Sequence, residues 1–325
     1  MSFVLRRAGQ AAIVLIAAFT ATFFLLQLLP GDAILIKFSD PSLGLSPEQL
    51  DGIRATYGTD LPWWQQYVHA GLGFAAGDFG YSTQFGTPVL EMLAEALPST
   101  VLLASLGLVV ALLIAVLVAG LSSLAPFAWL RDGIRQVPGL FVAVPVFWLG
   151  ILLIQVFSFG LGWVPIVGAD PVAGLVLPVL TLAVPISAPL AQVLVRAIDQ
   201  VQAQPFITVV RAKGAPPSWV LTRSVARNAA LPTLTIAGVL FGELVGGAVV
   251  TETVFGRTGI GRLTEQAVSN QDIPVLQGVV LLSALGFVVI SFAVDLVTPL
   301  IDPRQRAVAR SSASTARRTP QEVAA

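Results

Sequence analysis

The sequence predicts an all-α polytopic membrane protein with six transmembrane helices and both termini in the cytoplasm. Three observations carry this. Only 11% of the 325 residues are charged and 55% are hydrophobic, against roughly 25% charged in an average soluble domain. The uncharged runs are long enough to cross a bilayer, which takes about 20 apolar residues with every backbone group satisfied internally. The basic residues gather on one side of a six-span threading.

The elements follow in order. The first span is 8–29, preceded by Arg6-Arg7 and ended by Pro30-Gly31-Asp32. A basic pair before an apolar run also describes a secretory signal, whose apolar core is about 7–15 residues; this run is longer and reads as an anchor. The run 97–130 holds the second span, ending near Gly120. The third lies within 137–161, the fourth within 172–195, and the fifth within 231–254, interrupted by Glu243 and Glu252. The sixth is 273–300, with Asp295 close to its end.

Orientation comes from the charges. The N-terminus, the second–third loop, the fourth–fifth loop and the C-terminal tail hold 14 of the 18 basic residues, leaving Lys37, Arg54, Arg257 and Arg262 opposite. An excess of Lys and Arg marks the cytoplasmic side. The chain therefore divides into 1–30 with the first span, an extracytoplasmic segment 31–96, a five-span core 97–303 with a cytoplasmic loop 196–230, and a tail 304–325. The Ser, Ala and Arg-rich tail reads as disordered. In the outer segment, Ser46-Pro47-Glu48-Gln49 reads as a helix start, with Ser at the cap and Pro at the first position. Trp63 and Trp64 suit an interfacial belt or a small packed cap.

Composition also excludes chemistry. Equal numbers of acidic and basic residues leave no bulk field for nucleic acid. There is no cysteine and His69 is the lone histidine, so thiol nucleophiles, a Ser-His-Asp triad and His-rich metal sites are out of reach. No phosphate-binding Gly-x-x-x-x-Gly-Lys-Ser/Thr loop occurs, and Gly71-Leu72-Gly73 lacks the strand and helix a nucleotide fingerprint requires. The chain is expected to hold no cofactor, to catalyse nothing and to hydrolyse no ATP itself.

The cytoplasmic loop is the most specific stretch. Pro205 suits the first position of a helix. Phe206, Ile207 and Val210 form an apolar stripe, and Arg211 and Lys213 close the last turn, where cations complement the dipole. Gly214 can take a left-handed cap, and Pro216-Pro217 prevent continuation. A new helix is expected from Ser218, carrying Arg223 and Arg227. By its spacing alone, such a rigid amphipathic helix outside the membrane reads first as a connector resting on anionic headgroups.

The surrounding residues add a resemblance. Arg211-Ala212-Lys213-Gly214, followed by Arg227-Asn228-Ala229-Ala230-Leu231-Pro232, resembles the EAA loop of binding-protein-dependent ABC importer permeases, in the B-type oligopeptide/dipeptide/nickel branch. Leu28-Leu29-Pro30-Gly31-Asp32, Gly77-Asp78-Phe79-Gly80-Tyr81-Ser82, Leu177-Pro178-Val179-Leu180-Thr181-Leu182-Ala183, the run from Gly247 through Thr251-Glu252-Thr253-Val254-Phe255-Gly256 to Thr258-Gly259-Ile260-Gly261, and Asp302-Pro303-Arg304 resemble further segments of that branch, in order. Pro205, Thr208 and Val210 depart from its Asp, Arg and Ala.

The resemblance implies a type I importer permease fold in the cytoplasmic membrane of a bacterium and a peptide substrate, with nickel or another small solute as the alternative. It implies as partners a second homologous permease, two ABC ATPase subunits that bind ATP and Mg, and an extracytoplasmic substrate-binding protein meeting the loops around 31–96 and 255–272, besides membrane lipid. Phe206, Arg211, Ala212, Lys213 and Gly214 would couple the permease to the ATPases.

Glu243, Gly246, Gly247 and Glu252 are the candidate pathway residues. A charge at mid-span costs about 2.5–3.5 kcal/mol and lines a cavity more often than it faces lipid; glycines, including Gly242, allow close helix approach or a gate. Asp295 is expected to pair with Arg304 or Arg306, and Pro178, Pro185 and Pro189 to kink the fourth span. An intramembrane aspartyl hydrolase would need Glu243 and Asp295 to face each other, yet they belong to different depths. An ion-coupled transporter would carry inverted repeats, and none is evident.

Overall fold

The structure is a computed structural model describing residues 2–27, 46–49, 52, 61–165 and 172–301. Among these there is no β-strand, only a bridge between Tyr81 and Pro88. The helices in chain order are α1 (Ser2–Gln27), α2 (Trp63–Ala76), α3 (Val89–Leu124), α4 (Ala128–Ala143), α5 (Val146–Gly160), α6 (Ala173–Gln202), α7 (Pro205–Ala212), α8 (Pro217–Val254), α9 (Ile260–Ser269) and α10 (Ile273–Ile301). Among the described residues five are long and apolar enough to cross a bilayer, and α4 with α5 makes a sixth if the bent pair counts as one span. The tail 304–325 and the Asp295 pairing fall outside the described residues and side chains.

Over the expected third span the chain bends: α4 and α5 meet at 99°. Val144 between them is extended (φ −92°, ψ 121°) and is followed by Pro145. Proline disfavours a helical residue before it and supplies no N–H, which suits a break at this point. The helix expected from Ser218 and the fifth span expected from near Leu231 are one element. A continuous helix starts at Pro217 and runs to Val254, with a π-helical stretch at Val220–Val225 and Pro232 inside it. The fourth span is likewise one helix, α6, running through Pro178, Pro185 and Pro189.

The chain clusters into two compact units. The first comprises Met1–Ala104, Gly150–Pro178 and Val245–Val288. In it α1 and α2 pack through rings: Phe19, Phe23 and Phe24 surround Tyr67, at centroid distances of 5.0, 5.3 and 6.1 Å. The Thr20 and Tyr67 hydroxyls share a 2.8 Å hydrogen bond. Its core joins Val89 and Leu93 of α3 to Ile260, Leu263 and Ala267 of α9 and Val275 and Val279 of α10. Glycine permits that approach, because a Cβ on Gly278 would lie 2.7 Å from Val89 Cγ1.

The second unit comprises Ser105–Leu149, Val179–Leu244 and, among the described residues, 289–301. Its membrane core packs Ala111 and Ala115 of α3 on Ala183, Leu190 and Ala191 of α6 and Ala237 and Leu240 of α8. Small side chains let helix backbones approach where lipid offers no hydrophobic drive for association. A second core joins Ala119, Leu194, Ile198, Ile207, Val220 and Val225. Arg135 of α4 pairs with Asp199 of α6 at 2.7 Å.

Candidate functional site

Helix α7 is built as its sequence requires. Gln204 is extended (φ −72°, ψ 142°) and Pro205 takes the first turn, where its missing N–H would have had no partner. The helix ends as Gly214 turns to φ +87°. Its N–H donates to the Arg211 carbonyl at 2.9 Å, and Lys213 N–H donates to the Val209 carbonyl at 3.2 Å. A residue with a Cβ is strained in this conformation. Pro216 and Pro217 then start α8.

The helix is exposed almost all round. Phe206, Thr208, Val209, Arg211, Ala212, Lys213 and Gly214 all present themselves outward, so every residue expected to couple the chain to a partner is accessible. Arg211 Nη2 donates to Gln202 Oε1 at 3.3 Å. Ile207 alone of this helix is fully buried. The outer face thus combines apolar Phe206 and Val209 with two cations, a pattern suited to a protein groove with acidic groups.

The polar residues of α8 separate into two kinds. Glu243, Gly246 and Gly247 are exposed, and nothing lies within 4 Å of where a Cβ on either glycine would stand. Val239 and Val250 extend the same uncovered stripe, while Thr233, Ala237, Leu240, Leu244 and Ala248 form the buried face. Glu252, grouped with the stripe from sequence, is placed differently: it is fully buried. The interval from 243 to 252 is nine positions; at 3.6 residues per turn that is about 180°, so the two carboxyls leave opposite sides of one helix.

Glu252 forms a clasp. Thr100 Oγ1 donates to its Oε1 at 2.6 Å, and the N–H groups of Gly261 and Arg262 donate to Oε2 at 2.7 and 3.3 Å. Thr100 Oγ1 also accepts Ile260 N–H at 2.8 Å. The turn into α9 needs its glycines, since a Cβ on Gly259 would overlap the Glu252 carboxyl and one on Gly261 the Val249 backbone.

A second clasp closes the other end of α9. Asp272 is buried, accepts from Ser82 Oγ at 2.5 Å and from the N–H groups of Thr83 and Gln84 at 3.2 and 3.1 Å, and starts α10. Sequence reasoning passed over Asp272, although an Asp directly before an apolar run is a cap signal. Nothing in the sequence marks Thr100. At the helix start expected from Ser46-Pro47, Ser46 and Gln49 form a reciprocal cap, Ser46 N–H donating to Gln49 Oε1 at 2.8 Å and Gln49 N–H to Ser46 Oγ at 3.3 Å.

Comparison with known proteins adds the following. Residues 107–307 match the family described as the binding-protein-dependent transport system inner membrane component, and residues 1–104 match its N-terminal region. A putative peptide transport system permease protein of Brucella abortus (strain 2308) is 34% identical over 313 residues, 94% of this chain and 99% of that protein. The glutathione transport system permease protein of Escherichia coli (strain K12) is 31% identical over 306 residues, again 94% and 99%. Among solved structures, an inward-facing form of the MetNI methionine ABC transporter aligns with a TM-score of 0.56 at 20% identity, covering 65% of this chain and 96% of that one. At that identity the likeness speaks for the fold.

Proposed function

The chain belongs to the binding-protein-dependent transport inner-membrane component family, and on that premise we propose that it is the transmembrane permease of an ATP-driven importer carrying di- and oligopeptides across a bacterial cytoplasmic membrane. The observation that carries this reading is α7: a capped, glycine-stopped helix whose whole outer face is bare. Phe206 and Val209 with Arg211, Ala212, Lys213 and Gly214 form the face on which ABC ATPase subunits dock. ATP and Mg belong to those subunits.

The stripe of Glu243, Gly246 and Gly247 faces the hydrated path shared with a second, homologous permease. A carboxyl that this chain leaves uncovered within a span is costly against lipid, and the neighbouring glycines leave room for solute or a close helix. Glu252 holds the outer end of the same helix. The segments around α2, the 81–88 turn and α9 meet the substrate-binding protein. Peptide as the cargo rests on the names of relatives that align over nearly the full chain.

The test is uptake by proteoliposomes holding the complete complex, fed with the cognate binding protein loaded from a defined peptide mixture or from nickel. ATP-dependent accumulation of peptide is expected. Accumulation of nickel without peptide would reassign the cargo, and uptake without ATP would reject the importer reading.

A further inference from the structure

We infer that Ile207 is the positioning residue through which movement of α7 reaches the membrane spans; this rests on the coupling role proposed for α7. An isolated helix of eight residues has little stability of its own, so its place is fixed by what holds it. Most of α7 is bare, and the side-chain hydrogen bond from Arg211 to Gln202, nine positions upstream, is an exposed 3.3 Å contact. Ile207 is fully buried.

The residues around it make the role specific. Ile207 belongs to one apolar cluster with Ala119 of α3, Leu194 and Ile198 of α6, and Val220 and Val225 of α8. Residues of three long helices therefore share one apolar core with Ile207, the fully buried residue of the docking helix, against which the half-buried Val210 also packs. Its β-branched side chain has a restricted χ1, so a push on α7 is passed to these helices rather than absorbed by rotamer change. The seat on α8 is the π-helical stretch Val220–Val225, whose buried residues Val220, Leu221 and Val225 face this core. The π-turn is the wider and rarer helical form and recurs at functional positions. The docking face and the transmitting side chain are thus different residues of one short helix, and substitutions can separate them.

The complete complex in proteoliposomes is compared for Ile207→Ala, Ile207→Val, Ile207→Leu and, on the exposed face, Val209→Glu. The readouts are ATPase co-purification, ATP hydrolysis and peptide transported per ATP. Removing a buried branched side chain shifts a packing equilibrium about tenfold or more. Ile207→Ala is therefore expected to insert, to co-purify with the ATPases and to hydrolyse ATP, while transport per ATP falls about tenfold or more. Ile207→Val should fall between, and Ile207→Leu, which keeps the volume, should stay within about threefold of the parent. Val209→Glu should lose co-purification.

An unchanged transport ratio in Ile207→Ala beside lost docking in Val209→Glu overturns the role of Ile207 and leaves the coupling reading intact. Parallel loss of insertion or docking in both Ile207→Ala and Ile207→Val assigns the residue to structure alone and overturns it equally. Normal docking and transport by Val209→Glu overturns the coupling reading itself.

Discussion

Replacing Glu252 by alanine removes one acceptor group from under three donors. Thr100 Oγ1 and Gly261 N–H meet the carboxylate at 2.6 and 2.7 Å, and Arg262 N–H reaches it at 3.3 Å. The site is fully buried, so the orphaned donors have no ready substitute. Each stranded buried donor costs about 1–3 kcal/mol. Counting only the two short bonds, Glu252→Ala should destabilise the α9 junction by about 2–6 kcal/mol. At about 1.4 kcal/mol per factor of ten, that is roughly thirtyfold or more in local opening.

Glu252→Gln keeps one oxygen for the N–H pair but turns an amide NH2 toward Thr100. The hydroxyl, already accepting from Ile260 N–H at 2.8 Å, loses its own acceptor, so the cost should be smaller, about 1–2 kcal/mol. Amide hydrogen exchange of the permease in nanodiscs, followed by mass spectrometry over 258–270, reads the opening directly. The expected order of exchange is Ala above Gln above the parent. Thr100→Val completes a double-mutant cycle, and residues in one hydrogen-bond network should show a coupling energy. If Glu252→Ala exchanges within a few-fold of the parent, or if the Thr100 and Glu252 effects simply add, the clasp does not hold α9.

Four further outcomes follow from the same geometry. Gly214→Val places a β-branched residue at φ +87°, so ATPase co-purification should fall while membrane insertion is retained; Gly214→Ala should be milder. Glu243→Leu should fold normally yet change the rate or preference of peptide uptake by the full complex, and unaltered uptake would make the carboxyl structural. Single cysteines at Ser46 and Asn270 should react with an impermeant maleimide added outside intact cells, and one at Ala203 only after lysis; the reverse pattern would end the threading with both termini inside. Asp272→Ala should release the 81–88 turn, seen as faster protease cleavage there, because Ser82, Thr83 and Gln84 lose their shared acceptor.

Much of this was legible in the sequence for identifiable reasons. Pro205 and Gly214 restrict their own backbones, so the limits of α7 needed no tertiary information. The spans at α1, α6 and α10 were legible because apolar length is a property of the segment itself. Two features were not. A helix from Ser218 and a span from near Leu231 read as separate elements, yet they are one helix, α8, with Pro232 inside it; a helix can carry an internal proline when its neighbours supply packing. At Val144-Pro145 the same residue type does coincide with a break between helices.

What the sequence by itself determined is the solvent and the punctuation: a chain with helices apolar enough to cross a bilayer, and a short helix stopped by glycine. These follow from transfer free energies and backbone sterics, which act residue by residue. What only the tertiary structure decided is which polar group is shared with the outside and which is spent inside the chain. Glu243 and Glu252 are the same residue type in one helix, yet one is uncovered and the other enclosed by Thr100 and the Gly261 backbone. Thr100 is 152 positions away from Glu252 along the chain, and a hydrogen bond requires its partners within about 3 Å. That proximity exists only once the helices have packed.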